Sequence, residues 1–115
     1  MKISKEKINN LTVLSIDGRI DTNNYSDFEE EVNRLFNEGV NDIIINCRGL
    51  NYISSSGLRV FLVAQKKAIS VNGKLHLCNL QPTIKEIFTI SGFTSIFKIF
   101  DSLEQAMNIK NNKSD

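Results

Sequence analysis

The sequence predicts an α/β fold: a single mixed, mostly parallel β-sheet of about five strands with four helices. Three observations lead there. Runs of strand character alternate with runs of helical period along most of the chain. One run, Ile43-Ile44-Ile45, is unbroken aliphatic, as in a central strand covered on both faces of a parallel sheet. The chain also opens on two strand-like runs joined by a tight polar turn, which adds an antiparallel edge.

The elements follow in order. Asn9-Asn10 is a hairpin turn, because Asn tolerates the positive φ that two-residue turns require; it joins a strand near 2–8 to one near 11–17. Asp17-Gly18 breaks or bulges the second strand, and Arg19-Ile20-Asp21 leads into the polar turn Thr22-Asn23-Asn24. Tyr25, Phe28, Val32, Leu35 and Phe36 then line one face of a 3.6-period helix. Asn24 suits its N-cap, Asp27, Glu29 and Glu30 suit its dipole, and Gly39 marks its stop. A strand runs from Val40 to Cys47, and Arg48 to Ile53 reads as a loop. A second helix opens at Ser54-Ser55-Ser56-Gly57 and ends near Val71, closed by Asn72-Gly73. The next strand is Lys74 to Asn79. Pro82 fits the first turn of a third helix that buries Ile84, Ile87 and Phe88 and ends at Gly92. Ile96 to Phe100 reads as a short strand, and Asp101 to Gln105 caps a last helix through Met107 or Ile109. One domain is expected over 1–110, followed by a polar flexible tail at 111–115.

Composition narrows the function. At 115 residues, 41% hydrophobic and 23% charged, the chain suits one core of modest size. A formal charge of +1 offers no electrostatic footprint for nucleic acid or for an anionic membrane. The charged start from Met1 to Lys7 has no apolar core of a signal peptide, and no stretch approaches the roughly 20 apolar residues of a membrane span. A soluble cytoplasmic protein is expected. Cys47 and Cys78 lie in apolar strand-like runs, so they read as buried free thiols rather than as a disulfide. Ligand spacing for a metal is absent, as is a Gly-Lys-Ser/Thr phosphate loop, and no cofactor is expected.

The second helix holds the candidate site. Ser54, Ser55 and Ser56 fall outside the carboxyl end of a central strand, where open α/β sheets place their sites. One serine suffices as an N-cap; three exceed that need, and Gly57 keeps the first turn open to close approach. Leu58, Phe61, Leu62 and Ile69 read as the inward stripe, while Val60, Val63, Ala64 and Ala68 extend apolar character around the outer side. Either a second element covers that side or a partner does. Catalysis finds little support. A Ser55–His76–Asp21 set can be imagined, but there is no Gly-x-Ser-x-Gly elbow, and His76 lies partway along a strand.

These residues resemble the STAS domain of anti-sigma-factor antagonists, from Leu11 to about Ile109. The resemblance is carried by Gly18-Arg19-Ile20-Asp21, Ile43-Ile44-Ile45 and Tyr52-Ile53-Ser54-Ser55-Ser56-Gly57-Leu58-Arg59-Val60, then Ser91-Gly92-Phe93 and Ser102-Leu103-Glu104-Gln105-Ala106. It implies the STAS fold and a non-enzymatic protein–protein switch. The family motif is Asp-Ser-Ser/Thr-Gly-Leu, whose first hydroxyl residue is phosphorylated by a partner kinase. By position that residue is Ser55, with Ser56 second and Asp21 the family's strand-end acid. Ser54 stands where the best-studied switch members carry Asp, and Asn46 where Asp is frequent. The implied partners are an anti-sigma-factor serine kinase and a PP2C-type phosphatase. The implied contact residues are Asp21, Ser54, Ser56, Gly57, Leu58, Val60 and Ala64. Unphosphorylated chain would bind the kinase and free the sigma factor. A phosphate adds about −1.5 to −2 charges, which a helix N-terminus tolerates, so its effect would fall on the interface. A STAS module that does not switch, serving as a scaffold or small-ligand sensor, is the alternative.

Overall fold

The computed structural model describes residues 1–112. It runs β1 (Lys2–Ile8), β2 (Leu11–Ile20), α1 (Tyr25–Asn37), β3 (Asp42–Ile53), α2 (Ser55–Ser70), β4 (Lys74–Cys78), α3 (Pro82–Ile90), β5 (Ile99–Phe100) and α4 (Leu103–Asn112). The end of the expected tail, residues 113–115, lies outside the described residues. The strands form one sheet in the order β1-β2-β3-β4-β5. β1 and β2 are antiparallel, and every later pairing is parallel. The single mixed sheet with four helices is the fold the sequence predicts.

Sequential strand order fixes the layers. Right-handed crossovers between consecutive parallel neighbours all fall on one side of a sheet. Accordingly Phe28, Val32 and Leu35 of α1, Phe61 and Ala64 of α2, and Ile84 and Phe88 of α3 share one core with Leu14, Ile16, Ile43, Ile45 and Leu77. α4 covers the other face, where Ala106, Leu103 and Met107 meet Val13, Ile44, Cys78 and Phe100. Ile43, Ile44 and Ile45 are buried because the central strand has a helical layer on both sides. Phe61 is the hub of the larger core, with ring centroids 5.0 Å from Phe28, 5.3 Å from Phe88 and 6.3 Å from Phe97.

Four boundaries depart from the sequence reading by three residues or more, one of them the end of α4, at Asn112 where Met107 or Ile109 is expected. Of the two outcomes expected at Asp17-Gly18, β2 bulges and does not break, and it continues to Ile20, paired with a β3 that runs on through Ile53. Register shifts between Ser15 and Asp17 and between Gly18 and Arg19 absorb the mismatch, with Gly18 at φ 104°. Arg48 to Ile53 is therefore strand, with Leu50 and Ile53 turned into the core. β5 is shorter than expected. Phe93–Ser95 forms a 3₁₀ turn, Phe97 enters the core, and only Ile99 and Phe100 pair, with Leu77 and Cys78. The hairpin turn is as expected, with Ile8 opposite Leu11 and Asn9 at φ 55°.

Candidate functional site

The carboxyl ends of β2 and β3 lie side by side, with Ile20 opposite Ile53. The pairing extends one step beyond the strand, where Ser54 N donates to Ile20 O at 2.9 Å. Asp21 and Ser55 each stand one residue past that hydrogen bond, so the fold brings the β2–α1 turn and the start of α2 together.

The three serines separate by environment. Ser54 is the N-cap of α2: its backbone is extended, its Oγ accepts from Gly57 N at 3.2 Å, and it is 9% exposed. Ser55 is exposed at the first helical position, and Ser56 is half-buried. Gly57 is buried, and its role differs from the open approach expected of it. A Cβ there would stand 2.7 Å from Ile20 Cγ2 and 2.8 Å from Ile53 Cγ1. The missing side chain lets the first turn of α2 settle directly onto the strand ends.

Asp21 is already engaged. Its Oδ1 accepts from Asn23 N at 2.9 Å and Asn24 N at 3.1 Å, and its Oδ2 lies 3.7 Å from Arg19 Nε. Asn24 occupies the N-cap position of α1 without making a side-chain cap. Instead its Oδ1 accepts from Asp21 N at 2.8 Å and its Nδ2 donates to Arg19 O at 3.0 Å. The Arg19 guanidinium lies 4.2 Å from the ring centroid of Tyr52, itself exposed. Arg19 and Tyr52 are a part of this surface that residue-by-residue reading of the sequence passed over. Their register across β2 and β3 would have revealed it, had both strands been read to their ends.

The faces of α2 are also redistributed. Val60 and Ala64, expected among the contact residues, are each 4% exposed and pack in the core with Gly57, Phe61 and Ala68. Small residues at 57, 64 and 68 let the helix approach the sheet closely, so the packed side is the one poorer in bulk. The outward side carries Ser55, Arg59, Val63, Lys66 and Ile69, with Val63 50% and Ile69 64% exposed. Leu58 and Leu62 are half-buried beside them. Ile69, assigned inward from the sequence, points out.

The imagined Ser55–His76–Asp21 set is not assembled. His76 is opposite Ile44 and stacks edge-on with Phe100 at 5.8 Å, which puts it on the α4 side of the sheet, whereas α2 packs on the other side. Among the described residues no cluster of His, Cys, Asp and Glu could hold a metal, and no helix is long and apolar enough to cross a membrane. An open groove of about 340 Å³, lined by Lys2, Ser4, Ser15, Asp17, Asn46 and Arg48 among others, includes none of the candidate residues.

This arrangement, a sheet with three helices on one face and one on the other, and a serine-opened helix at the ends of two parallel strands, defines a class. The chain belongs to the STAS domain family, whose model matches residues 2–106. Its relatives within that family include anti-sigma factor antagonists. BtrV of Bordetella bronchiseptica, assigned to that group, is 37% identical over 92% of this chain and 91% of its own length. The anti-sigma-B factor antagonist of Staphylococcus aureus is 26% identical over 79% of this chain and 84% of its own. Among solved structures, an anti-sigma factor antagonist from Thermotoga maritima superposes with a TM-score of 0.88 at 20% identity, covering 92% of each chain. The antagonist SpoIIAA in its unphosphorylated form gives 0.76 at 20% identity, covering 96% of this chain and 98% of its own. At such identities these two matches speak for the fold.

Proposed function

We propose that this protein is a phosphorylation-controlled antagonist of an anti-sigma factor, acting in the cytoplasm, with Ser55 as the modified residue. The observation that carries this reading is the division of labour among the serines. Ser54 caps the helix and Ser56 is half-buried, which leaves Ser55 exposed at the head of α2 in a chain of the anti-sigma-factor-antagonist family. With Ser55 unmodified, the chain binds an anti-sigma-factor serine kinase and frees the sigma factor. The docking face combines Ser55 and Ser56 with Leu58, Arg59, Leu62 and Val63 of α2 and the Asp21 turn. Modification changes charge at that face while leaving the fold intact, because negative charge at a helix N-terminus is tolerated. Each 1.4 kcal/mol of desolvation or repulsion weakens the complex about tenfold. A PP2C-type phosphatase returns the protein to its binding state.

The test is intact-mass measurement after incubation with the serine-kinase anti-sigma factor of the same genome and ATP. Wild type should gain one phosphate and Ser55→Ala none. A phosphate that persists in Ser55→Ala overturns the site. Kinase binding unchanged in Ser55→Asp would favour the non-switching scaffold instead.

A further inference from the structure

Arg59 stands one helical turn beyond Ser55, on the same outward face of α2. Side chains at i and i+4 have Cβ atoms about 5–6 Å apart, and the favourable order places the anion N-terminal to the cation. Arg59 is exposed, and among the described residues no ion pair engages it. α2 carries Arg59, Lys66 and Lys67 and no carboxylate, so nothing on the helix itself competes for that guanidinium. Arg19, the other arginine at this end, is taken by Asp21 and by the ring of Tyr52. A planar guanidinium matches phosphate and carboxylate geometry alike.

From this placement we infer that Arg59 reads the state of Ser55: a phosphate on Ser55 draws the guanidinium into an intramolecular pair, whereas a free hydroxyl leaves it to a carboxylate on an acidic partner surface. The inference rests on the proposed reading of Ser55 as the modified residue. One phosphate then has two effects on docking, since it adds negative charge and withdraws a cation from the same face. Arg59 is thus a positioning residue of the switch.

The experiment places phosphoserine at position 55 during translation, independently of any kinase, and follows its second ionisation by phosphorus NMR at low salt. A neighbouring guanidinium favours the dianion. The midpoint in the otherwise wild-type chain should therefore lie about 0.3 pH unit below that in Arg59→Gln. Lys66→Gln, nearly two turns further along, should leave it unmoved. At 1 M salt, where the screening length is about 3 Å, the difference should shrink toward zero. Equal midpoints in wild type and Arg59→Gln at low salt overturn the inference. Because the phosphate is installed without the kinase, that result is separate from a failure of the kinase reaction, which the mass measurement reads.

Discussion

The Ser54 hydroxyl is occupied by Gly57 N at 3.2 Å, while that of Ser55 faces solvent one residue later. The two should therefore separate in experiment. Ser54→Ala removes a cap and should lower unfolding free energy by about 1 kcal/mol in urea titration, whereas Ser55→Ala should stay within about 0.5 kcal/mol. Gly57→Ala should cost more, about 1–3 kcal/mol in the same titration, because the new methyl would meet Ile20 and Ile53 at 2.7 and 2.8 Å. The position of the serine loop was legible from the strand–serine–helix order. Which serine caps was not, because the three are chemically alike and only the backbone path decides which Oγ faces Gly57 N. Gly57 was legible as a residue needed without a side chain, but the neighbours that require this come from β2 and β3, distant in sequence.

At the scale of elements, α2 shows why hydrophobicity alone misassigned a helix face. Leu58, Leu62 and Ile69 are bulkier than Ala64 and Ala68, yet close approach to a sheet selects the small side. Phe61 fills the space that remains, among three other aromatic rings. Phe61→Ala should cost about 3–5 kcal/mol in thermal or urea unfolding, while Val63→Ala on the outer side should stay within about 0.5 kcal/mol. The ends of β2 and β3 were read short for a related reason. Asp17, Gly18, Arg48 and Asn51 carry loop chemistry, and the pairing that makes them strand is non-local, with bulges that hide the alternation. Phe97 was misplaced because its apolar–polar neighbourhood has strand period, whereas its ring packs against Phe61 and Phe93.

Across the whole molecule, the sheet divides the interior in two, and the cysteines fall on different sides. Cys47 packs with the three-helix core and Cys78 with α4, so the sheet itself keeps the thiols from bridging. Burial pushes both thiols up, Cys78 from 9.0 to about 11 and Cys47 further still. The sign follows from linkage. Above pH 9 the unfolded chain releases thiol protons that the native state retains, so stability holds below that pH and declines as pH rises through about 11. Urea midpoints across pH 7–11 should show this fall, and replacing both cysteines with Ala should flatten it. The layered topology was the most legible level of all, since alternating periods and short connections leave few ways to arrange five strands and four helices.

The hydrogen bond from Ser54 N to Ile20 O has a consequence for how an enzyme could reach the neighbouring hydroxyl. A substrate serine is commonly offered on a loose segment that threads an active-site cleft in extended form. Ser55 has no such slack, being tethered on one side to a strand end and wound on the other into a helix. On the proposed reading, the modifying kinase has to grip the folded surface, so a synthetic peptide spanning residues 48–64 should be a poor substrate even at millimolar concentration. Specificity would then reside in the contour of the domain, and two antagonists with the same serine motif could be told apart by residues that never approach the phosphate.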